Sequence, residues 1–170
     1  EYKSGERTVG KDDSSIPVSE QSFYGRGVIQ PTLWESIPDQ VHMLLRSTEG
    51  MIYRSDSKDG GNTWTEAYAT ELPNNNSGID MIRSEDGKLF LVYNPVGVNW
   101  GDRTPISLAV SKDDGKTWEK IRDLSTGEGE FAYPAIIQDE DFLYITSMFF
   151  FLRNAMLDLL VVGVSVAIRM

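Results

Sequence analysis

"SKDGGNTW" at Ser57–Trp64 returns as "SKDDGKTW" at Ser111–Trp118, with six of eight positions identical and the two tryptophans 54 residues apart. Serine and aspartate ahead of a glycine can fold their side chains back onto backbone N–H groups. The glycine supplies a positive φ, and the closing Thr-Trp starts a new strand with a bulky anchor. Each octapeptide therefore predicts a clamped hairpin turn. One such turn about every 50 residues is the spacing of β-propeller blades of four strands each.

The flanking sequence agrees. "VIQPTLWESIPDQVHMLLRSTEGMIYRS" precedes the first turn, "GIDMIRSEDGKLFLVYNPVGVNWGDRTPISLAVS" precedes the second, and "AYPAIIQDEDFLYITS" follows both. Each opens with a short apolar run, crosses a polar turn and continues in a β-branched or aromatic strand. The expectation is an all-β chain holding about two and a half four-stranded blades of an incomplete β-propeller.

Ser-x-Asp-x-Gly-x-Thr-Trp is the Asp box of sialidases and other proteins with BNR repeats. More narrowly, "GVIQPTLWE", "LLRSTEGMIYRS", "NNNSGID", "LVYNP", "RTPISLAVS" and "GEFAYPAIIQ" resemble the BNR-repeat, sialidase (neuraminidase)-like proteins, over Gly25 to Thr146. That resemblance implies a six-bladed propeller acting on, or binding, acidic sugars. It also implies that the Asp-box residues Ser57, Asp59, Gly61, Thr63, Trp64 and Ser111, Asp113, Gly115, Thr117, Trp118 lie on outer hairpins and serve the architecture. Six blades at this spacing require roughly 300 residues or more. No Phe/Tyr-Arg-Ile-Pro element, the usual carrier of the first sialidase arginine, is present.

Propeller sites form near the axis, where equivalent positions of successive blades converge. Aligning the blades puts Gln30, Asp80 and Tyr133 at the start of the first strand, 50 and 53 residues apart. Arg46, Asn94 and Ser147 follow their partners by 14 to 16 residues, at the end of the next strand, and Arg103 opens a third strand beside Asn94. An acidic sugar carries a carboxylate, which Arg46 and Arg103 could hold through paired, charge-assisted hydrogen bonds. The competing reading of each is a surface or blade-to-blade ion pair. Asp80 is the candidate general acid or base, against a capped turn after "NNNSG". Tyr133 is the candidate nucleophile, base or sugar platform, against packing. Gln30, Asn76, Ser77 and Asn94 are candidates for sugar hydroxyls. His42, on one strand side with Leu44 and Arg46, reads as a packing or surface residue. Trp34 and Trp100 could stack on a sugar or wedge adjacent blades.

Composition narrows the function classes. A net charge of −10, with both signs dispersed, disfavours a phosphate-backbone partner. The absence of cysteine excludes disulfides, thiolate nucleophiles and cysteine metal sites, and a single histidine removes most zinc and Ser-His schemes. No calcium-loop ligand series and no nucleotide-binding glycine motif is present, so no metal or cofactor is expected.

The ends read differently from the middle. Residues 1–22 are polar and lack the apolar stretch of a signal peptide, so they read as a lead or the remnant of a preceding blade, with residues 23–146 as the blades. Residues 147–170, "SMFFFLRNAMLDLLVVGVSVAIRM", depart from the family pattern. Arg153 and Asp158 interrupt the run, and Leu159–Ile168 is half of the roughly 20 apolar residues a span needs. A divergent, exposed and sticky tail is expected in place of a transmembrane helix. The compartment stays unassigned.

Three functions fit. They are a sialidase-like glycoside hydrolase acting on terminal acidic sugars, inactive as this fragment alone; a polysaccharide lyase acting on uronate-containing glycans; and a non-catalytic carbohydrate-binding propeller. The expected partner is an acidic carbohydrate, and open blade edges leave room for association.

Overall fold

The computed structural model describes residues 27–152 and 159–170, omitting the side chains of 151–162 and of 164. The polar lead at 1–22 lies outside the described residues.

Among the described residues, eleven antiparallel strands form three sheets. β1 (Val28–Glu35), β2 (Val41–Ser47), β3 (Met51–Ser57) and β4 (Tyr68–Pro73) make the first, in chain order. β5 (Asp80–Arg83), β6 (Leu89–Tyr93), β7 (Ile106–Ser111) and β8 (Glu119–Ser125) repeat that order in the second. β9 (Glu130–Asp139), β10 (Phe142–Leu152) and β11 (Leu159–Arg169) form the third. The result is an all-β, incomplete propeller: two four-stranded blades and a three-stranded sheet.

Each octapeptide folds as its chemistry predicts. In the first, Ser57 Oγ donates to Asp59 Oδ1 (2.7 Å) and accepts from Gly61 N–H (2.9 Å), while Asp59 accepts from the Thr63 N–H (2.8 Å) and hydroxyl (2.6 Å). Ser111, Asp113, Gly115 and Thr117 repeat the pattern at 2.6–2.9 Å. Gly61 and Gly115 hold φ of +89° and +74°. The donors from Thr63 and Thr117 bring both aspartates down to about 2.

Blade packing follows from strand alternation. In β6 every residue is buried, because odd and even positions serve different neighbours. Leu89, Leu91 and Tyr93 join Trp34, Leu44 and Ile52 between the first and second blades. Phe90 and Val92 join Phe131, Ile136, Leu143 and Ile145 between the second and third. Each such side chain contributes about 1.5–3 kcal/mol when fully buried.

The octapeptides differ at two positions, and one of them makes a blade contact. Gly60 in the first corresponds to Asp114 in the second, with φ of +69° and +63°. Asp114 keeps this conformation while accepting from Trp34 Nε1 (2.8 Å), and its carbonyl accepts from Arg54 Nη1 (2.9 Å). Trp34 is only 4% exposed and stacks on His42 and Arg54, so it wedges the blades and does not face solvent. His42 is buried in the same cluster, bonded through Nδ1 to Asp56, its cross-strand partner, and through Nε2 to Ser36 Oγ. Burial pushes the Asp56 carboxyl up, but donors from His42, Tyr68 and Arg54 outweigh it and leave it below the usual range.

β10 runs through Thr146 and Ser147 without a break, and the apolar tail supplies β11, paired with β10 along its whole length. No helix among the described residues is long and apolar enough to cross a membrane. One face of this third sheet packs on the second blade; the other leaves Ile137, Phe142, Tyr144 and Met148 exposed.

Candidate functional site

The first strands of the first and third sheets share a distortion at the aligned positions. In β1 the register shifts between Ile29 and Thr32, so Gln30 and Pro31 together oppose Leu45. In β9 Tyr133 and Pro134 oppose Ser147 in the same way. Gln30 has φ of +52° and Tyr133 +50°. A residue other than glycine in this region costs about 1–3 kcal/mol and persists where its surroundings impose it. Pro31 and Pro134 lack the N–H that a regular ladder would need there.

Arg46 pairs with Ile29, beside the first of these bulges. Its Nη1 donates to the Asn76 carbonyl (2.7 Å), while Nε is buried without a partner. Asn76 belongs to the loop between β4 and β5, where Asn74, Asn75 and Ser77 are all buried. Asn76 itself has φ of +64°, and its Oδ1 is also buried without a partner. The loop between β6 and β7 packs onto this one. Asn75 Nδ2 donates to the carbonyls of Gly101 (2.9 Å) and Asp102 (2.7 Å), and Asn76 Nδ2 to Asn99 Oδ1 (3.3 Å). The Asn75 side-chain amide is thus committed inside the chain.

Arg103 is held next to β9 by the bond from Phe131 N–H to its carbonyl (2.9 Å), and its guanidinium lies 5.9 Å over the Tyr133 ring. Gly78 leaves room for that ring, since a Cβ there would come 3.2 Å from Tyr133 Cδ1. Burial lowers the Arg46 pKa, Tyr133 opposes the shift, and the Arg103 charge adds to it. The three side chains therefore share one local field. Neither arginine forms an ion pair among the described residues.

The other candidates occupy different positions. Ser77 and Asn94 are fully buried: Ser77 Oγ donates to Asn94 Oδ1 (2.6 Å), and Asn94 Nδ2 donates to the Pro105 (3.0 Å) and Phe131 (3.1 Å) carbonyls. Their polar atoms are spent on one another and on backbone carbonyls inside the fold. Asp80 ties three blades, because Oδ1 accepts from Thr32 Oγ1 (3.2 Å) and Met81 N–H (2.9 Å), and Oδ2 from Ile136 N–H (3.0 Å). Gln30 is exposed and Ser147 is buried.

Sequence reasoning missed the buried asparagine scaffold and the His42–Asp56–Arg54 cluster. It also missed the bulges, although Gln-Pro and Tyr-Pro at aligned positions were a visible sign of them. A separate cleft of about 450 Å³, lined by Arg54, Tyr68, Glu71, Lys116 and Trp118, opens between β4 and the second Asp box, and none of the aligned residues lines it. Among the described residues, no group of three or more histidines and carboxylates is placed to hold a metal.

A family model described as "BNR repeat-like domain" matches residues 9–145. The chain belongs to this BNR repeat-like family. No curated protein matches it. Among solved structures, a protein of unknown function from Dyadobacter fermentans is similar with a TM-score of 0.64 and 18% identity, over 86% of this chain and 40% of that one. The Penicillium chrysogenum alpha-L-arabinanase complexed with arabinobiose gives a TM-score of 0.56 and 19% identity, over 72% and 41%. The Trypanosoma rangeli sialidase in complex with 2,3-difluorosialic acid gives 0.58 and 17%, over 72% and 21%. These likenesses show the propeller fold, and this BNR chain spans 21–41% of the length of these structures.

Proposed function

We propose that the chain supplies the anion-binding part of the sugar pocket of a BNR-propeller glycoside hydrolase, of the sialidase type, acting on terminal acidic sugars. The observation that carries this reading is that neither Arg46, bonded to the Asn76 carbonyl, nor Arg103, 5.9 Å over the Tyr133 ring, has a carboxylate partner among the described residues. A sugar carboxylate fills that vacancy and gains charge-assisted hydrogen bonds to both guanidiniums. In the hydrolytic reading Tyr133 is the nucleophile, held by a strained backbone at φ +50°. Asp80 is the acid or base, acting from a carboxylate fixed by three donors.

The sugar complexes among similar structures, arabinobiose and a sialic acid analogue, support a carbohydrate ligand. They also define the rival, a neutral arabinan substrate. Calorimetry of the full chain against N-acetylneuraminic acid, glucuronic acid and arabinobiose separates the two. Preference for an acid, weakened about ten- to a hundredfold by Arg46→Gln or Arg103→Gln, supports the proposal. Preference for arabinobiose, unaffected by either change, overturns it.

A further inference from the structure

We infer that Trp100 is a stacking platform for a second sugar unit, next to the acidic unit held by Arg46 and Arg103; the inference rests on that reading of the pocket. Trp100 is the most exposed large apolar residue described, at 73%, with no hydrogen bond or ring contact of its side chain among the described residues. Its backbone stands at φ +59°, where tryptophan is rarely found. A bulky side chain in such a conformation, turned to solvent, gains nothing from packing here.

The loop nevertheless fixes it. Trp100 N–H donates to the Asn75 carbonyl (3.1 Å), and Gly101 N–H to the Val98 carbonyl (2.8 Å). Asn99 on one side is tied to Asn76, and Gly101 and Asp102 on the other are tied to Asn75. Asn76 is also the residue whose carbonyl holds Arg46, and Arg103 lies three residues beyond Trp100. The indole is therefore carried on the same hydrogen-bonded frame as the two arginines. A rigid aromatic face loses little conformational freedom on binding, and it matches the apolar C–H face of a pyranose. The carboxylate sets the terminal sugar on the arginines, which leaves the neighbouring neutral sugar to lie against Trp100.

The test titrates wild type, Trp100→Ala and Trp100→Phe with free N-acetylneuraminic acid and with sialyllactose. Trp100→Ala is expected to weaken sialyllactose about tenfold and the free acid by less than about twofold, with Trp100→Phe keeping most of the affinity. Sialyllactose, but not the free acid, should blue-shift tryptophan emission of wild type and leave that of Trp100→Ala unmoved. Wild-type affinity for sialyllactose in Trp100→Ala overturns the platform while leaving the arginine pocket intact. Equal loss of both ligands in that variant overturns it as well. Failure of wild type to bind either sugar overturns the pocket and the platform together.

Discussion

Asp114→Gly isolates the contact that distinguishes the second Asp box from the first. Glycine is what the first box carries at this position, and it relieves a left-handed backbone at φ +63°, a gain of about 1 kcal/mol. Against that, Trp34 is 4% exposed and its Nε1–H loses its acceptor, the carboxylate 2.8 Å away. A buried donor left unpaired costs about 1–3 kcal/mol, towards the upper end when the lost partner is charged. The backbone bond from Arg54 to residue 114 survives the change. The net expectation is a loss of about 1–2 kcal/mol, read as a shift in the midpoint of urea unfolding followed by tryptophan fluorescence. Asp114→Asn keeps an acceptor and should lie within about 1 kcal/mol of wild type. If Asp114→Gly is as stable as wild type or more so, the wedge does not hold the blades together and local strain dominates this turn.

Three other expectations follow from the same geometry. Asp59 and Asp113 stand at about 2 in the fold, below the ordinary aspartate value, so their contribution is present above about pH 4 and is lost as pH falls toward 2; the double variant Asp59→Asn, Asp113→Asn should flatten the acid limb of thermal stability against pH. Leu91 is fully buried between blades, and Leu91→Ala should cost about 2–5 kcal/mol in chemical denaturation, against less than about 0.5 for the exposed Lys116→Ala. Gly78→Ala puts a methyl 3.2 Å from the Tyr133 ring and should leave the fold intact while weakening acidic-sugar binding several-fold, measured by calorimetry.

What the sequence made legible was local. An Asp box closes its hydrogen bonds within the octapeptide, so Ser57, Asp59 and Thr63 announce the hairpin with no knowledge of the rest of the chain. The apolar and aromatic run "LFLVY" likewise announced a strand. Blade alignment is a periodic argument, and it named both Arg103 and Tyr133, whose ring lies 5.9 Å beneath the Arg103 guanidinium. Burial was not approachable in that way. Ser77 and Asn94 looked like sugar ligands, yet a loop that crosses the propeller top needs internal partners for its own backbone and side chains, and these two supply them. Asp80 reaches Thr32 and Ile136 across sequence separations of 48 and 56 residues, which no local pattern records. The cluster of His42, Asp56 and Asp114 needed both the cross-strand register and the seating of one blade on the next. The tail looked foreign as composition, but "FLYITSMFFFL" runs on as one strand and pairs with another.

The central claim is that Arg46 and Arg103 form a seat for a carboxylate. Calorimetry comparing N-acetylneuraminic acid with its methyl ester, at low and high salt, tests it most directly, because the ester keeps the sugar and removes only the charge. The ester is expected to bind at least about tenfold more weakly to wild type. Raised salt should narrow that gap, and the double variant Arg46→Gln, Arg103→Gln should bind both forms equally weakly. Equal binding of acid and ester by wild type would contradict the claim and leave the two arginines without a role in recognising an anionic sugar.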